Sequence, residues 1–401
     1  MINKTIVLLY IYKYRSLQLY VKFRLLFQKF RLNIKFVYKI SFHFLIGMDN
    51  FWSHYSTSEQ DHLKEVNNED HESNDNHEEE EVNQRKATIT AEEIIDDDDD
   101  EKMHLMTNFT IHEFLELFQS ISDFLEPRSH KDAMLSPKSK LLLTLCWCKH
   151  GETFKFLAQN YNIAYTYCHD VILSTITSIV DRLVDNNIKW ISVNERISEY
   201  NLHFKDWPLL LGSLDATVQE INNPHITNDP YYSGKHKFHC AKVQGFVSPT
   251  GLLIHFSRCF PGKIHDFQVF KDSGLKKLIL EENNNCQRIF KENCTVLADS
   301  GYQGISKEVP GAVTPRKKQR GQERTVEDMA FNKTITYRRI IVENWFGRLK
   351  TLWRIMFHCY RLRITFYDTL WKFCAAITNF HIKHHPLRAN QDEEEEEEEE
   401  S

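Results

Sequence analysis

Leu209-Leu210-Leu211-Gly212-Ser213-Leu214-Asp215 is an apolar run of strand length that delivers a carboxylate at its end. The chain that follows is turn-rich through Asn222-Asn223-Pro224. It then enters a segment that reads as a hairpin, with arms Phe238–Val247 and Leu252–Phe256 joined by the turn Ser248-Pro249-Thr250-Gly251. Pro261-Gly262 breaks the chain, and Ile264-His265-Asp266 opens a helix through Phe267, Val269, Phe270 and Leu275. A second short apolar strand, Cys294-Thr295-Val296-Leu297-Ala298, also ends in an acid, Asp299. Tyr337 to Trp353 is a strong helix that carries Glu343 among Ile340, Ile341, Trp345, Phe346, Leu349 and Leu352.

Two strand-end acids and one acid on a later helix suggest a convergent site. Neighbouring parallel strands lie about 5 Å apart, so Asp215 and Asp299 can meet, and a helix packed across the sheet can bring in Glu343. Crowded carboxylates are unfavourable unless a cation offsets them, and hard divalent ions such as Mg²⁺ or Mn²⁺ take oxygen ligands of this kind. Two such ions about 4 Å apart can activate a water or a 3′-hydroxyl and stabilise the leaving oxygen in phosphodiester chemistry. A lone strand-end Asp is more often a turn residue, and Asp266 alone reads equally well as a helix cap. It is the repetition of context, with basic segments alongside, that points to metal-dependent nuclease chemistry.

Those basic segments are Lys235-His236-Lys237 before the hairpin, Arg316-Lys317-Lys318-Gln319-Arg320 with Arg324 in a loop, and Arg338, Arg339, Arg348, Lys350 and Arg354 around Glu343. Lys235, Lys237, Arg316, Lys317, Lys318, Arg339, Arg348 and Lys350 are the candidate phosphate-backbone contacts. A solvated helix face or local salt bridges is the competing reading for those on the helix. Net charge conceals this distribution. The 401 residues average to -6, yet residues 1–48 carry 9 basic and no acidic residues. Residues 59–101 carry 19 acidic and 3 basic, and Asp392–Glu400 is nine acids in a row. Residues 102–391 hold 38 basic against 27 acidic, a net of +11, so the body of the chain suits a polyanionic partner.

Upstream, Phe109 to Trp190 shows almost no strand signal. One helix follows Ser136-Pro137, a second spans Thr153 to about Tyr161, and a third runs from Tyr165 to Leu183. That spacing leaves two readings open, a helix-turn-helix DNA reader and a structural bundle. The third helix opens Tyr165-Thr166-Tyr167-Cys168-His169-Asp170 without Lys or Arg, which weakens the first. Nine scattered cysteines without a CxxC pair read as reduced thiols, not as a disulfide framework or zinc ribbon. His381, His384 and His385 read as surface residues. The longest uncharged apolar run in the first 47 residues, Thr5–Tyr12, is too short to span a bilayer, and no membrane partner is expected. That extension has the residue mix of translated AT-rich DNA, with Met48 reading as an ordinary start. The dense charge of 52–101 and of the Glu393–Glu400 run predicts disorder, with order from about Leu105 to Leu387.

Five motifs, in order, complete the reading. They are Leu214-Asp215-Ala216-Thr217, Tyr232-Ser233-Gly234-Lys235-His236-Lys237, Pro261-Gly262-Lys263-Ile264-His265-Asp266, Leu297-Ala298-Asp299-Ser300-Gly301-Tyr302-Gln303-Gly304, and Arg339-Ile340-Ile341-Val342-Glu343-Asn344-Trp345-Phe346-Gly347-Arg348-Leu349-Lys350. In this order they resemble the DDE nuclease domain of Harbinger/PIF-type transposases over roughly 205–385, with a weaker match of 136–185 to the family's helical region. The resemblance implies an α/β fold with an RNase H-like mixed sheet flanked by helices, preceded by a small all-helical, helix-turn-helix-like region. It implies metal-dependent DNA cleavage, with Asp215, Asp299 and Glu343 as catalytic acids and Asp266 as a further metal ligand. Ala216 replaces the family's frequent Gly or Cys, and Ser300 stands where many members carry Lys.

The expected division is a doubtful extension at 1–47, a disordered acidic segment at 48–104, a helical region at 105–200, a nuclease domain at 205–387 and a disordered tail at 388–401. The expected partners are Mg²⁺ or Mn²⁺, DNA, and a separate Myb-like DNA-binding protein of the kind this family often uses. A homo-oligomer is left open. Arg316–Arg320 resembles a nuclear-localisation cluster, so the nucleus is the expected compartment, with the cytoplasm second. The competing class is a transposase-derived factor that keeps the fold, binds DNA or protein and no longer cuts.

Overall fold

The computed structural model describes residues 89–125, 134–223, 230–318 and 323–387. The expected extension at 1–47, most of the acidic segment and the tail at 388–401 lie outside the described residues, as does Arg320.

Order begins earlier than the charge pattern predicts. Helix α1 (Ala91–Asp96) falls within the segment expected to be disordered, and helix α2 (Asp100–Thr107) begins inside it. Thr90 and Asp99 cap them by accepting from the backbone N–H groups of Glu93 and Lys102. Ala91, Ile94 and Met103 are fully buried, so three apolar side chains among many acids suffice to dock the two helices. Helix α3 (Ile111–Gln119) follows with a capping box between Thr110 and Glu113.

Helix α4 (Pro137–His150) starts at the expected Ser136-Pro137 cap and is buried from Ser139 to Cys148. Helix α5 (Phe154–Asn160) and helix α6 (Tyr165–Asn187) match the expected pair, and helix α7 (Val193–Ser198) leads toward the sheet. The apolar stripe of α6, from Val171 to Leu183, is buried. Both the bundle and the helix-turn-helix readings place this stripe in a core.

The sheet comprises β1 (Leu210–Glu220), β2 (Tyr232–Ser233), β3 (Phe238–Val247), β4 (Leu253–Phe256), β5 (Phe260–Pro261), β6 (Thr295–Ala298) and β7 (Ala312–Val313). β3 pairs antiparallel with β1 and β4, whereas β6 runs parallel to both β1 and β7. Three antiparallel strands extended by two parallel ones form the expected RNase H-like mixed sheet. Between β5 and β6 lie helix α8 (Asp266–Asp272) and helix α9 (Leu275–Phe290); α10 (Ile305–Glu308) precedes β7. Helix α11 (Val326–Leu352) starts eleven residues before the expected Tyr337, and helix α12 (Tyr367–His384) closes the described chain.

Helices cover both faces. Alternate β3 residues Ala241, Val243 and Val247 join one core with Trp345 and Phe346 of α11, while Phe246 joins another with Phe270 and Ile279 from α8 and α9. The first core continues through α4 and α6 to α12, so the expected boundary near 200–205 does not separate two cores. Asn379 of α12 ties the pieces together. Its Oδ1 accepts from Leu253 N (3.0 Å) and Trp345 Nε1 (2.9 Å), and its Nδ2 donates to the carbonyls of Asn187 (2.9 Å) and Leu253 (2.8 Å). Among the described residues no helix is long and apolar enough to cross a membrane. All nine cysteines are free.

Candidate active site

Parallel pairing of β1 with β6 sets Leu214 beside Ala298, and the next residue on each chain is an acid, Asp215 and Asp299. Asp215 does not end its strand as expected. β1 runs on to Glu220 because its polar second half, Asp215 to Glu220, continues the antiparallel ladder with Gly245 to Cys240 of β3. Asp215 is thus held rigidly in mid-strand, where its parallel neighbour has stopped. Asp299 caps the short 3₁₀ turn Ser300–Tyr302, its Oδ2 facing Gly301 N at 3.4 Å.

Helix α11 crosses above. Ile341, Val342, Trp345, Phe346 and Leu349 are its buried face. Gly245, the antiparallel partner of Asp215, sets how close the helix can come, since a Cβ there would lie 2.9 Å from Phe346 Cζ. At that depth Arg339 and Glu343, one helical turn apart, reach the two aspartates. Arg339 Nη1 lies 3.3 Å from Asp215 Oδ2, and Nη2 lies 2.5 Å from Glu343 Oε1 and 3.9 Å from Asp299 Oδ1. The Arg339 side chain is only 12% exposed. Burial is the main influence on Asp215, raising its pKa from 3.8 to about 6. The N–H of Ala216 and the Arg339 guanidinium pull it down, and Asp299 and Glu343 push it up.

Asp266 is held apart from these three. Lys242 projects from the opposite side of β3 and places Nζ 2.7 Å from Asp266 Oδ1 and 2.6 Å from the Ile264 carbonyl. The two groups of acids adjoin at Gly301, where a Cβ would lie 3.3 Å from Asp266 Oδ2 and 3.9 Å from Asp299 Oδ2. Beneath this corner the fully buried Tyr302 hydroxyl has no hydrogen-bond partner. Burial raises its pKa, and the carboxylates of Asp266, Asp215 and Asp299 add to that rise.

The candidate phosphate contacts divide into groups. Lys235 and Lys237 are exposed on the β2–β3 turn, and His236 between them is depressed by burial and then by Lys235 and Lys242, with Asp266 opposing. Lys317 and Lys318 are exposed, whereas Arg316 is paired with Asp328 at 2.9 Å and lies over the Phe331 ring at 4.1 Å. Two expectations need correcting. Arg348 turns to α12, with Nη1 3.2 Å from His381 Nδ1 and 3.1 Å from the His385 carbonyl. Lys350 is half-buried, directs Nζ to the Val218 carbonyl at 3.3 Å, and has its pKa lowered by burial. His381 likewise is buried beneath Arg348 and not at the surface. Sequence reading missed Lys242 and Tyr302; a single Lys inside an apolar strand was the available signal for the first.

The acids that the motifs single out therefore sit around the adjoining interior strands β1 and β6, at the C-terminal end of β6, and residues 214–379 match the family model described as DDE superfamily endonuclease. The chain is 31% identical over 169 residues to a probable transposase for insertion sequence element IS702 from Microchaete diplosiphon, covering 42% of this chain and 56% of that protein. It is 21% identical over 230 residues to Protein ALP1-like from Arabidopsis thaliana, covering 55% of this chain and 54% of that protein. The chain thus spans about half the length of these curated relatives. No solved structure matches it.

DDE superfamily endonucleases use divalent metal ions. The donor set of this domain fits them in kind, being hard carboxylate oxygens from three separate elements around one cationic centre. As placed, no three His, Cys, Asp or Glu side chains among the described residues are close enough to hold an ion. The Arg339 guanidinium lies between them.

Proposed function

We propose that this chain is a metal-dependent DNA endonuclease of the Harbinger transposase-derived type, working in the nucleus on phosphodiester bonds. The observation that carries the reading is the approach of Asp215, Asp299 and Glu343, from β1, the end of β6 and α11, to a single buried guanidinium. Such a constellation serves charge stabilisation in phosphoryl chemistry, with the carboxylates acting by holding the ion and not through a covalent intermediate. Asp215, Asp299 and Glu343 would hold the ion, with Asp266 at the adjoining corner. When bound it would supply a Lewis acid to the phosphodiester and lower the pKa of an attacking water. Lys235, Lys237, Lys317 and Lys318, all exposed, would fix the register of the DNA backbone without reading bases. α11 and the β1–β3 ladder keep the carboxylates rigid, so that little reorganisation is required during reaction. In a mobile element the freed 3′-hydroxyl would go on to attack target DNA, and a Myb-like protein would supply the sequence reading that α6 lacks.

A second reading has an observation of its own. Because Arg339 already pairs with the acids, the domain could serve as a catalytically silent DNA- or protein-binding factor. Calorimetric titration of the full chain with Mn²⁺ in the presence of a short DNA duplex separates the two. The nuclease reading expects binding that Glu343→Gln abolishes. DNA binding without any response to Mn²⁺ would overturn it in favour of the factor.

A further inference from the structure

Arg339 sits where it excludes the ion that its neighbours would bind. Mg²⁺ requires oxygens at about 2.0–2.1 Å, so its ligand atoms must crowd within a few ångströms of one another. The guanidinium instead spans from Asp215 to Glu343 and Asp299 at 2.5–3.9 Å and occupies the space between them. Guanidinium and metal are alternative occupants of one set of carboxylates.

Phosphate is the natural ligand to draw this side chain away. Arg pairs with phosphate oxygens in a two-pronged geometry as good as its pairing with carboxylate, and a polyanion supplies many such oxygens at once. Exposed Lys235, Lys237, Lys317 and Lys318 would bring a DNA backbone to these acids. We infer that Arg339 is a positioning residue that gates the site: without DNA it fills the carboxylate cluster and keeps metal out, and on DNA binding it moves to a backbone phosphate and opens the cluster to the ion. The benefit is chemical, since a nuclease loaded only on its substrate performs no stray hydrolysis. The gate rests on the metal-dependent nuclease reading. It adds a linkage that must be reciprocal, because whatever DNA does to metal affinity, metal does to DNA affinity.

The test is the affinity of the full chain for Mn²⁺, read from the paramagnetic resonance signal of free Mn²⁺, with and without a short phosphorothioate DNA duplex. For the wild type, DNA should tighten Mn²⁺ binding by about tenfold or more, within the usual span of coupling between sites. Arg339→Gln should bind Mn²⁺ about tenfold more tightly than wild type without DNA, and DNA should then add little. Arg339→Lys keeps the charge but not the two-pronged span, so without DNA it should bind Mn²⁺ more tightly than wild type and less tightly than Arg339→Gln. The gate is overturned if Arg339→Gln binds Mn²⁺ no tighter than wild type without DNA, or if DNA tightens both equally. Should the Gln variant fail to fold, DNA-independent Mn²⁺ affinity in the wild type also overturns it. If no protein binds Mn²⁺ even with DNA, the nuclease reading falls together with the gate.

Discussion

Asp215→Asn should make the metal-free protein more stable at neutral pH while disabling it. The folded Asp215 carboxyl has its pKa raised from 3.8 to about 6, chiefly by burial. A raised acid binds its proton more tightly in the folded chain than in the unfolded one, so its contribution to stability falls as pH rises. The contribution is full below about pH 4, declines between about pH 4 and 6, and is lost above that window. A displacement of about two pH units, at about 1.4 kcal/mol each, puts the cost of the ionised side chain at neutral pH near 3 kcal/mol. Asn mimics the protonated acid and keeps an oxygen for the Ala216 N–H, which now donates to Asp215 Oδ1 at 2.8 Å. The variant should therefore gain up to about 3 kcal/mol at pH 7 and nothing at pH 4. Urea unfolding in EDTA across pH 4–8 measures the difference between the two proteins. A variant less stable than wild type at pH 7, or a gap that does not close by pH 4, would refute the assignment of burial as the dominant influence. Adding Mn²⁺ together with DNA should narrow or reverse the gap, because only wild type then gains metal-binding free energy in the folded state.

Other perturbations probe the scaffold and the DNA surface. Asn379→Ala strands the buried N–H groups of Trp345 and Leu253 and should cost about 3 kcal/mol or more in urea unfolding; a loss under about 1 kcal/mol would mean those groups find other partners. Gly262→Ala places a Cβ 2.8 Å from the backbone carbonyl oxygens of Cys240 and Tyr231, which cannot yield easily. It should cost about 2 kcal/mol, which comparison of the unfolding curves will show. Lys317→Gln and Lys318→Gln should each lower the slope of log affinity against log salt by about 1. Lys350→Gln, whose ammonium now serves the Val218 carbonyl, should leave that slope unchanged in fluorescence anisotropy.

Much of the domain was legible because the signals are local. The run Leu209–Leu214, the arms at Phe238–Val247 and Leu253–Phe256, and the apolar periodicity around Glu343 each declare an element from a few neighbouring residues. What was hidden depends on partners distant in sequence. The polar half of β1 is a strand only because β3 lies beside it, from Gly245 opposite Asp215 to Cys240 opposite Glu220. α1 and α2 look disordered by charge, and only their docking through Ala91, Ile94 and Met103 orders them. Arg339 could be read as an i,i+4 partner of Glu343, but its reach to Asp215 follows from the depth of α11 over Gly245. The same limit applies to Arg348 and Lys350, whose charge suggested DNA before the carbonyls of His385 and Val218 were seen to claim them.

Strand cleavage itself is the most direct test. Full-length protein incubated with supercoiled plasmid should nick it in Mg²⁺ or Mn²⁺ and stop in EDTA, and Asp299→Asn should reduce the nicking to background. Equal nicking by wild type and Asp299→Asn would contradict a mechanism carried by these carboxylates.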